Sequence, residues 1–226
     1  MRKLTEYAFH TGKLTAPVKL AVVSDLHNEP YEDIWPLIEG ADALLVPGDV
    51  ANRYRKEYAL GIEFLREAAK RLPTFFSVGN HELRQPDFPA FVREAETTGA
   101  EILINRYVPF GEMWIGGWYP SKYVKAPDMM DDFEQLPGCR VLMCHKPNHY
   151  AEFLMDKSVD LVISGHAHGG QIAIGTQGLY APGQGIFPKY TRGLYHDRMI
   201  VSAGAGNPCR MPRWNNPCEV LLITLT

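Results

Sequence analysis

No stretch of these 226 residues is apolar for long enough to cross a bilayer. Clean apolar runs such as Ala43-Leu44-Leu45-Val46 and Val220-Leu221-Leu222-Ile223 fall far short of the ~20 residues a spanning helix needs. Met1-Arg2-Lys3-Leu4-Thr5-Glu6-Tyr7 carries a basic pair with no apolar segment behind it, so a secretory signal is not expected and a cytoplasmic location is. Cysteine is scarce, with four in the chain, which in an unsecreted protein argues for free thiols over a disulfide framework. Cys139 and Cys144 fall in one predicted strand at odd separation and so face opposite ways. Cys209 and Cys218 each follow a proline at a spacing that matches no strong metal motif, and are read as structural. A basic surplus is also missing. The formal charge of −3 excludes a long nucleic-acid footprint, which rests on many Lys/Arg–phosphate contacts, while leaving small phosphorylated ligands open. There is no internal repeat, low-complexity tract or linker-like shift in composition, so residues 1–226 are expected to form a single domain with a core needing no staples.

What is present is an alternation of short apolar runs with helical patterns, the signature of an α/β fold. Strands are predicted over 4–10, 18–24, 43–46, 74–78, 101–104, 114–117, 140–144, 160–164, 171–174, 199–202 and 219–225. Helices are predicted over 55–72, where Tyr58, Ile62, Leu65, Ala69 and Leu72 share a face and Pro73 stops the run, over 87–97, and over 149–156. The last fifty residues hold strands and loops alone, so a mixed sheet is expected.

Five of these strands run directly into polar residues. Val18–Ser24 leads to Asp25 and His27, Ala43–Val46 to Gly48-Asp49, and Thr74–Val78 to Gly79-Asn80-His81-Glu82. Arg140–Cys144 leads to His145, and Asp160–Ser164 to Gly165-His166-Ala167-His168. Ligands of open α/β sheets bind outside the carboxyl ends of strands, so all eight donors are expected on one rim. Each motif taken alone reads as an ordinary turn, since Gly-Asp is common after strands; the combination does not. Asp25 and His27 are two apart, which in an extended segment points both to one side, and His166 and His168 repeat the spacing. Imidazoles, carboxylates and an amide without thiolate suit Mn, Fe or Zn better than Ca. Two such ions against two carboxylates leave a centre about two charges positive, able to draw in a phosphate and, with a hydroxide held between the ions, to hydrolyse its ester.

In this order, Asp25/His27, Gly48-Asp49, Gly79-Asn80-His81-Glu82, His145 and Gly165-His166-Ala167-His168 resemble the calcineurin-like metallophosphoesterase superfamily. Gly169-Gly170-Gln171 and the tail through Pro217–Leu225 look like its bacterial branch of small phosphodiesterase-type members, whose usual N-terminal membrane anchor is not seen here. The resemblance implies a four-layer αββα sandwich, with two mixed sheets flanked by helices. It implies two divalent transition-metal ions, one on Asp25, His27, Asp49 and His168, the other on Asp49, Asn80, His145 and His166. His81 would protonate the leaving group, with Glu82 orienting the site from behind. The implied activity is a phosphodiesterase acting on a phosphorylated small molecule; the alternatives are a phosphomonoesterase for nucleotides or phosphoproteins and a non-catalytic scaffold. Asn28-Glu29-Pro30 departs from the branch, where glycine is frequent. Residues 105–137, rich in Trp, Tyr and Met, are either core packing or a substrate lid, and 182–192 is a second candidate wall.

Overall fold

The computed structural model describes residues 2–175, 177–208 and 211–226; Cys209 lies outside the described residues. One sheet is built from β1 (Lys3–Phe9), β2 (Val18–Val22), β3 (Ala43–Val46), β4 (Thr74–Phe76), β5 (Glu101–Ile102) and the last strand, β16 (Glu219–Leu225). The other takes β6 (Arg106–Phe110), β7 (Met113–Gly117), β8 (Cys139–Met143), β9 (Leu161–Ser164), β14 (Gly193–Tyr195) and β15 (Met199–Val201). Between β9 and β14 stand two small hairpins, β10 (Ala173–Ile174) with β11 (Gln177–Gly178) and β12 (Tyr180–Ala181) with β13 (Gly185–Ile186).

The first sheet runs β1-β16-β2-β3-β4-β5 and the second β14-β15-β9-β8-β7-β6. Strands β2 to β5 are mutually parallel, as are β7, β8, β9 and β15. Antiparallel pairings of β16 with β2, β6 with β7 and β14 with β15 make both sheets mixed. Three apolar clusters define the layers. Leu20, Leu45 and Phe75 of the first sheet meet Ile115, Val141 and Ile163 of the second in the central core. Ile62 and Leu65 of α1 (Ala59–Ala69) and Phe91 of α2 (Phe88–Glu96) cover the first sheet's other face. Trp118, Phe133 and Tyr150 cover the second's, against Leu142 and Val162. This is the four-layer αββα sandwich. Cys139 falls in the central core and Cys144 in the outer one, on opposite faces as the odd spacing requires.

The helix predicted over 55–72 is shorter, because Asn52 and Glu57 exchange backbone hydrogen bonds of 2.7 and 3.1 Å and close residues 52–57 into a turn. The N-terminus of α1 is then capped from a distance. Asn28 Oδ1 accepts the Leu60 and Gly61 N–H groups at 2.8 and 3.2 Å, the use this chain makes of its departure after Asp25-Leu26-His27. In the third predicted helix, a short α turn at Pro147–His149 passes into a π-helical turn, Tyr150–Leu154.

Candidate metal centre

Strands β2, β3 and β4 of one sheet and β8 and β9 of the other end at the same rim, and their following residues converge there. Asp25, His27, Asp49, Asn80, His81, His145, His166 and His168 are all 6% exposed or less. Ligand atoms of Asp25, His27 and His168 lie within 4.8 Å of one another, as do those of Asp49, His145 and His166, and those of His27, Asp49 and His81. Sharing His27 and Asp49, these groups link seven of the eight donors named from the sequence, and Asn80 lines the same cavity as Asp49, His81, His166 and His168.

The means of convergence differs from the expected one. Asp25 (φ 56°), His27 (φ 55°), Asp49 (φ 58°), His166 (φ 68°) and His168 (φ 48°) all occupy the left-handed region, so neither pair two apart is extended. Backbone of this kind costs on the order of 1–3 kcal/mol per residue and persists only where the surroundings over-determine it. Here they do. Asp25 N donates to Gly48 O and His27 N to Asp49 O, each at 3.0 Å, and Asp25 O accepts from Gly206 N at 2.7 Å. The glycines of the motifs serve close approach. A Cβ on Gly79 would stand 2.2 Å from Asp49 Oδ1, and one on Gly165 2.2 Å from Asp25 Oδ2.

Glu82 works from beneath. Its carboxylate accepts the backbone N–H of Asp49 (2.8 Å), Ala51 (2.8 Å) and Gly79 (2.7 Å), tying the β3 and β4 loops together. Burial, reinforced by the Asp49 charge, pushes its pKa up to about 7 against those three donors. Burial also pushes Asp25 and Asp49 upward, but the surrounding imidazoles, His168 for Asp25 and His145 for Asp49, outweigh it and hold both below the usual carboxylate range. His145 is resisted by burial yet raised to about 9 by Asp49. Burial takes His81 down to about 4 and His168 to about 3.

Several buried atoms await a partner. Asp49 Oδ2, Asn80 Oδ1 and His145 Nε2 accept or donate no hydrogen bond, although Asp49 Oδ2 and His145 Nε2 are 3.1 Å apart. Buried polar atoms left so are costly, and oxygen and nitrogen donors of this kind could hold a metal ion. The tautomers agree. His145 Nδ1 faces Pro47 O at 2.8 Å, so that nitrogen holds the proton and Nε2 is the ligating one. His27 Nδ1 faces two acceptors, Ala51 O at 3.3 Å and His81 Nδ1 at 3.1 Å, which turns Nε2 toward Asp25. The donor set fits a divalent transition metal.

A cavity of about 200 Å³ opens over Asp49, Asn80, His81, His166 and His168, walled by Arg53, Tyr54, Gln171, Tyr180, Pro182 and Pro208. Tyr54 packs edge-on against His81 at 5.4 Å, and Arg53 Nη2 donates to the Tyr54 hydroxyl at 2.7 Å. Arg53 and Tyr54 carry no sequence signal, being loop residues in no motif. The same holds for Arg213, whose Nη2 lies 2.9 Å from His168 Nδ1. Of the second predicted wall, 182–192, Pro182 lines the cavity, with Tyr180 just before it doing the same. The 105–137 segment supplies no cavity-lining residue among those described; Trp118, Met129 and Met130 are core of the second sheet and Tyr119 of the first.

Residues 18–170 match the family model described as calcineurin-like phosphoesterase. An uncharacterized metallophosphoesterase of Helicobacter pylori strain J99 is 25% identical over 245 residues, covering 99% of this chain and 64% of that protein. One from Campylobacter jejuni, Cj0846, is 28% identical over 231 residues, 94% of this chain and 60% of its own. Phosphodiesterase YaeI of Escherichia coli is 26% identical over 183 residues, 70% of this chain and 63% of its own. The chain thus spans under two thirds of the length of these relatives. Among the described residues no helix is long and apolar enough to cross a membrane.

Proposed function

The chain belongs to the calcineurin-like phosphoesterase family, and on that premise we propose that it is a metal-dependent phosphodiesterase with two ions in its centre. Asp25, His27, Asp49 and His168 would hold one ion and Asp49, Asn80, His145 and His166 the other, Asp49 serving both. The observation that carries this reading is the trio of unpartnered buried atoms, Asp49 Oδ2, Asn80 Oδ1 and His145 Nε2, the first two on residues that line the cavity. Divalent ions bound there supply Lewis acidity toward a phosphoryl oxygen and toward the attacking water.

The remaining work falls to the chain. His81 stands at the cavity wall with its Nδ1 accepting from Arg53 N at 3.3 Å, which places its proton-bearing nitrogen, Nε2, on the Asp49 side. It gives a proton to the leaving oxygen. Burial favours its neutral form, and the negative charge of a phosphate seated beside it pulls the other way. Support for a diester comes from the uncharged walls, Tyr54, Tyr180, Pro182 and Pro208, on which a second esterified group can rest. The phosphodiesterase name of YaeI agrees.

The test compares a bis-aryl with a mono-aryl phosphate under Mn²⁺, with chelator as the control. The diester should turn over faster and chelation should abolish it. Preference for the monoester assigns a phosphomonoesterase instead, and no turnover of either ester with metal bound assigns a scaffold.

A further inference from the structure

The two halves of the centre are not equally ready for a cation. Arginine is a donor only, with no acceptor and no accessible neutral form. Arg213 is fixed by the backbone, Nη1 donating to Ala203 O at 2.6 Å and Nη2 to Gly206 O at 2.5 Å, and that same Nη2 meets His168 Nδ1 at 2.9 Å. Asn216 holds the other side of the histidine, its Nδ2 donating to His168 O at 2.6 Å. His168 Nδ1 must therefore be the accepting nitrogen, and the ring's proton sits on Nε2. That proton has a destination. His27 Nε2, left bare because its Nδ1 faces Ala51 O and His81 Nδ1, is 3.2 Å away. A continuous line of hydrogen bonds runs from Arg213 through His168 and His27 to Ala51.

A histidine that ligates through Nε2 ordinarily donates its Nδ1 proton to a carbonyl or carboxylate. His145, on Pro47 O, is built that way. His168 is built the opposite way. Resting on the metal-centre reading above, we propose that Arg213 is a positioning residue that sets the tautomer of His168 against metal binding, so that the Asp25/His27/His168 half is the weaker and exchangeable half of the centre. An ion entering there has to separate His168 from His27 and turn the histidine's proton toward a guanidinium. An ion entering at the other half meets two unpartnered acceptors, Asp49 Oδ2 and Asn80 Oδ1.

Two measurements on the full chain test this. In the chelator-treated protein, long-range ¹H–¹⁵N histidine spectra should show His168 protonated at Nε2 and bare at Nδ1; an Nδ1-protonated His168 overturns the proposal. Calorimetric titration with Mn²⁺ should show two steps, and Arg213→Met should tighten the weaker by about 10–100-fold, the usual range for groups behind a ligand, while leaving the tighter one unchanged. Arg213→Lys, which cannot span both carbonyls and the ring, should tighten it as well and serves if the Met variant misfolds. His168→Ala should remove the weaker step alone. Unchanged or weakened second binding in both Arg213 variants overturns the proposal, whereas absence of any Mn²⁺ binding in wild type refutes the metal-centre reading itself.

Discussion

Glu82 offers the sharpest energetic test. It is fully buried, and its Oε2 accepts from Asp49 N and Gly79 N while Oε1 accepts from Ala51 N. Glu82→Ala strands three buried N–H groups, each worth about 1–3 kcal/mol when left unsatisfied. Together they cost about 3–9 kcal/mol, a large part of the stability of an ordinary domain. Glu82→Gln separates geometry from charge. With its carbonyl at the Oε2 position it keeps the Asp49 and Gly79 bonds, and only Ala51 N–H meets a donor, so the loss should be about 1–2 kcal/mol. Urea unfolding of chelator-treated protein, followed by tryptophan fluorescence, reads both values. A loss below about 1 kcal/mol for the alanine variant, or equal losses for both, would refute the claim that three accepted N–H groups tie the β3 and β4 loops.

Gly165→Ala should abolish metal retention at Asp25 while leaving the sheets folded, because the new Cβ would lie 2.2 Å from Asp25 Oδ2; metal analysis beside circular dichroism checks it, and full retention contradicts it. Asn28→Ala removes the distant cap of α1 and should cost about 0.5–2 kcal/mol in the same urea assay with the site intact. His149, packed among Tyr119, Tyr123, Trp118 and Phe153, is pushed down to about 3 by burial and by Lys146. The unfolded chain protonates it below about 6.5 and the folded chain does not until about 3, so its share of stability is full above 6.5 and drains as pH falls toward 3. Wild type should lose up to about 1.4 kcal/mol per pH unit over that window relative to His149→Phe; parallel pH profiles would disprove it.

Strand positions and the gathering of the polar residues at one rim were readable in the sequence because both are written in side-chain type. β3 and β16 match their predicted ranges residue for residue, seven of the eight donors form linked groups, and Asn80 lines the cavity beside them. What was hidden is written in the backbone. Left-handed φ at Asp25, His27, Asp49, His166 and His168 has no residue code of the kind glycine provides, since neighbouring loops impose it. β6 escaped prediction because Pro109 interrupts Arg106–Phe110, which is allowed there only because β6 is an edge strand paired with β7 alone. Arg53, Tyr54 and Arg213 reach the site from loops without periodicity, and only the folded chain brings them near.

The place of β16 between β1 and β2 has a consequence for how the molecule comes into being. During synthesis at about 5–20 residues per second, the first strand waits on the order of 10–40 s before its neighbour exists. Through that interval β2 carries an open edge and β1 has nothing to pair with, an exposure that invites wrong partners. The peptide groups of Ala205 and Gly206, which clasp Ser24 and Asp25, emerge only shortly before β16. Asp49, Asn80, His145 and His166 have left the ribosome well before then, so a growing chain gathers that half of its centre first and fastens Asp25 last.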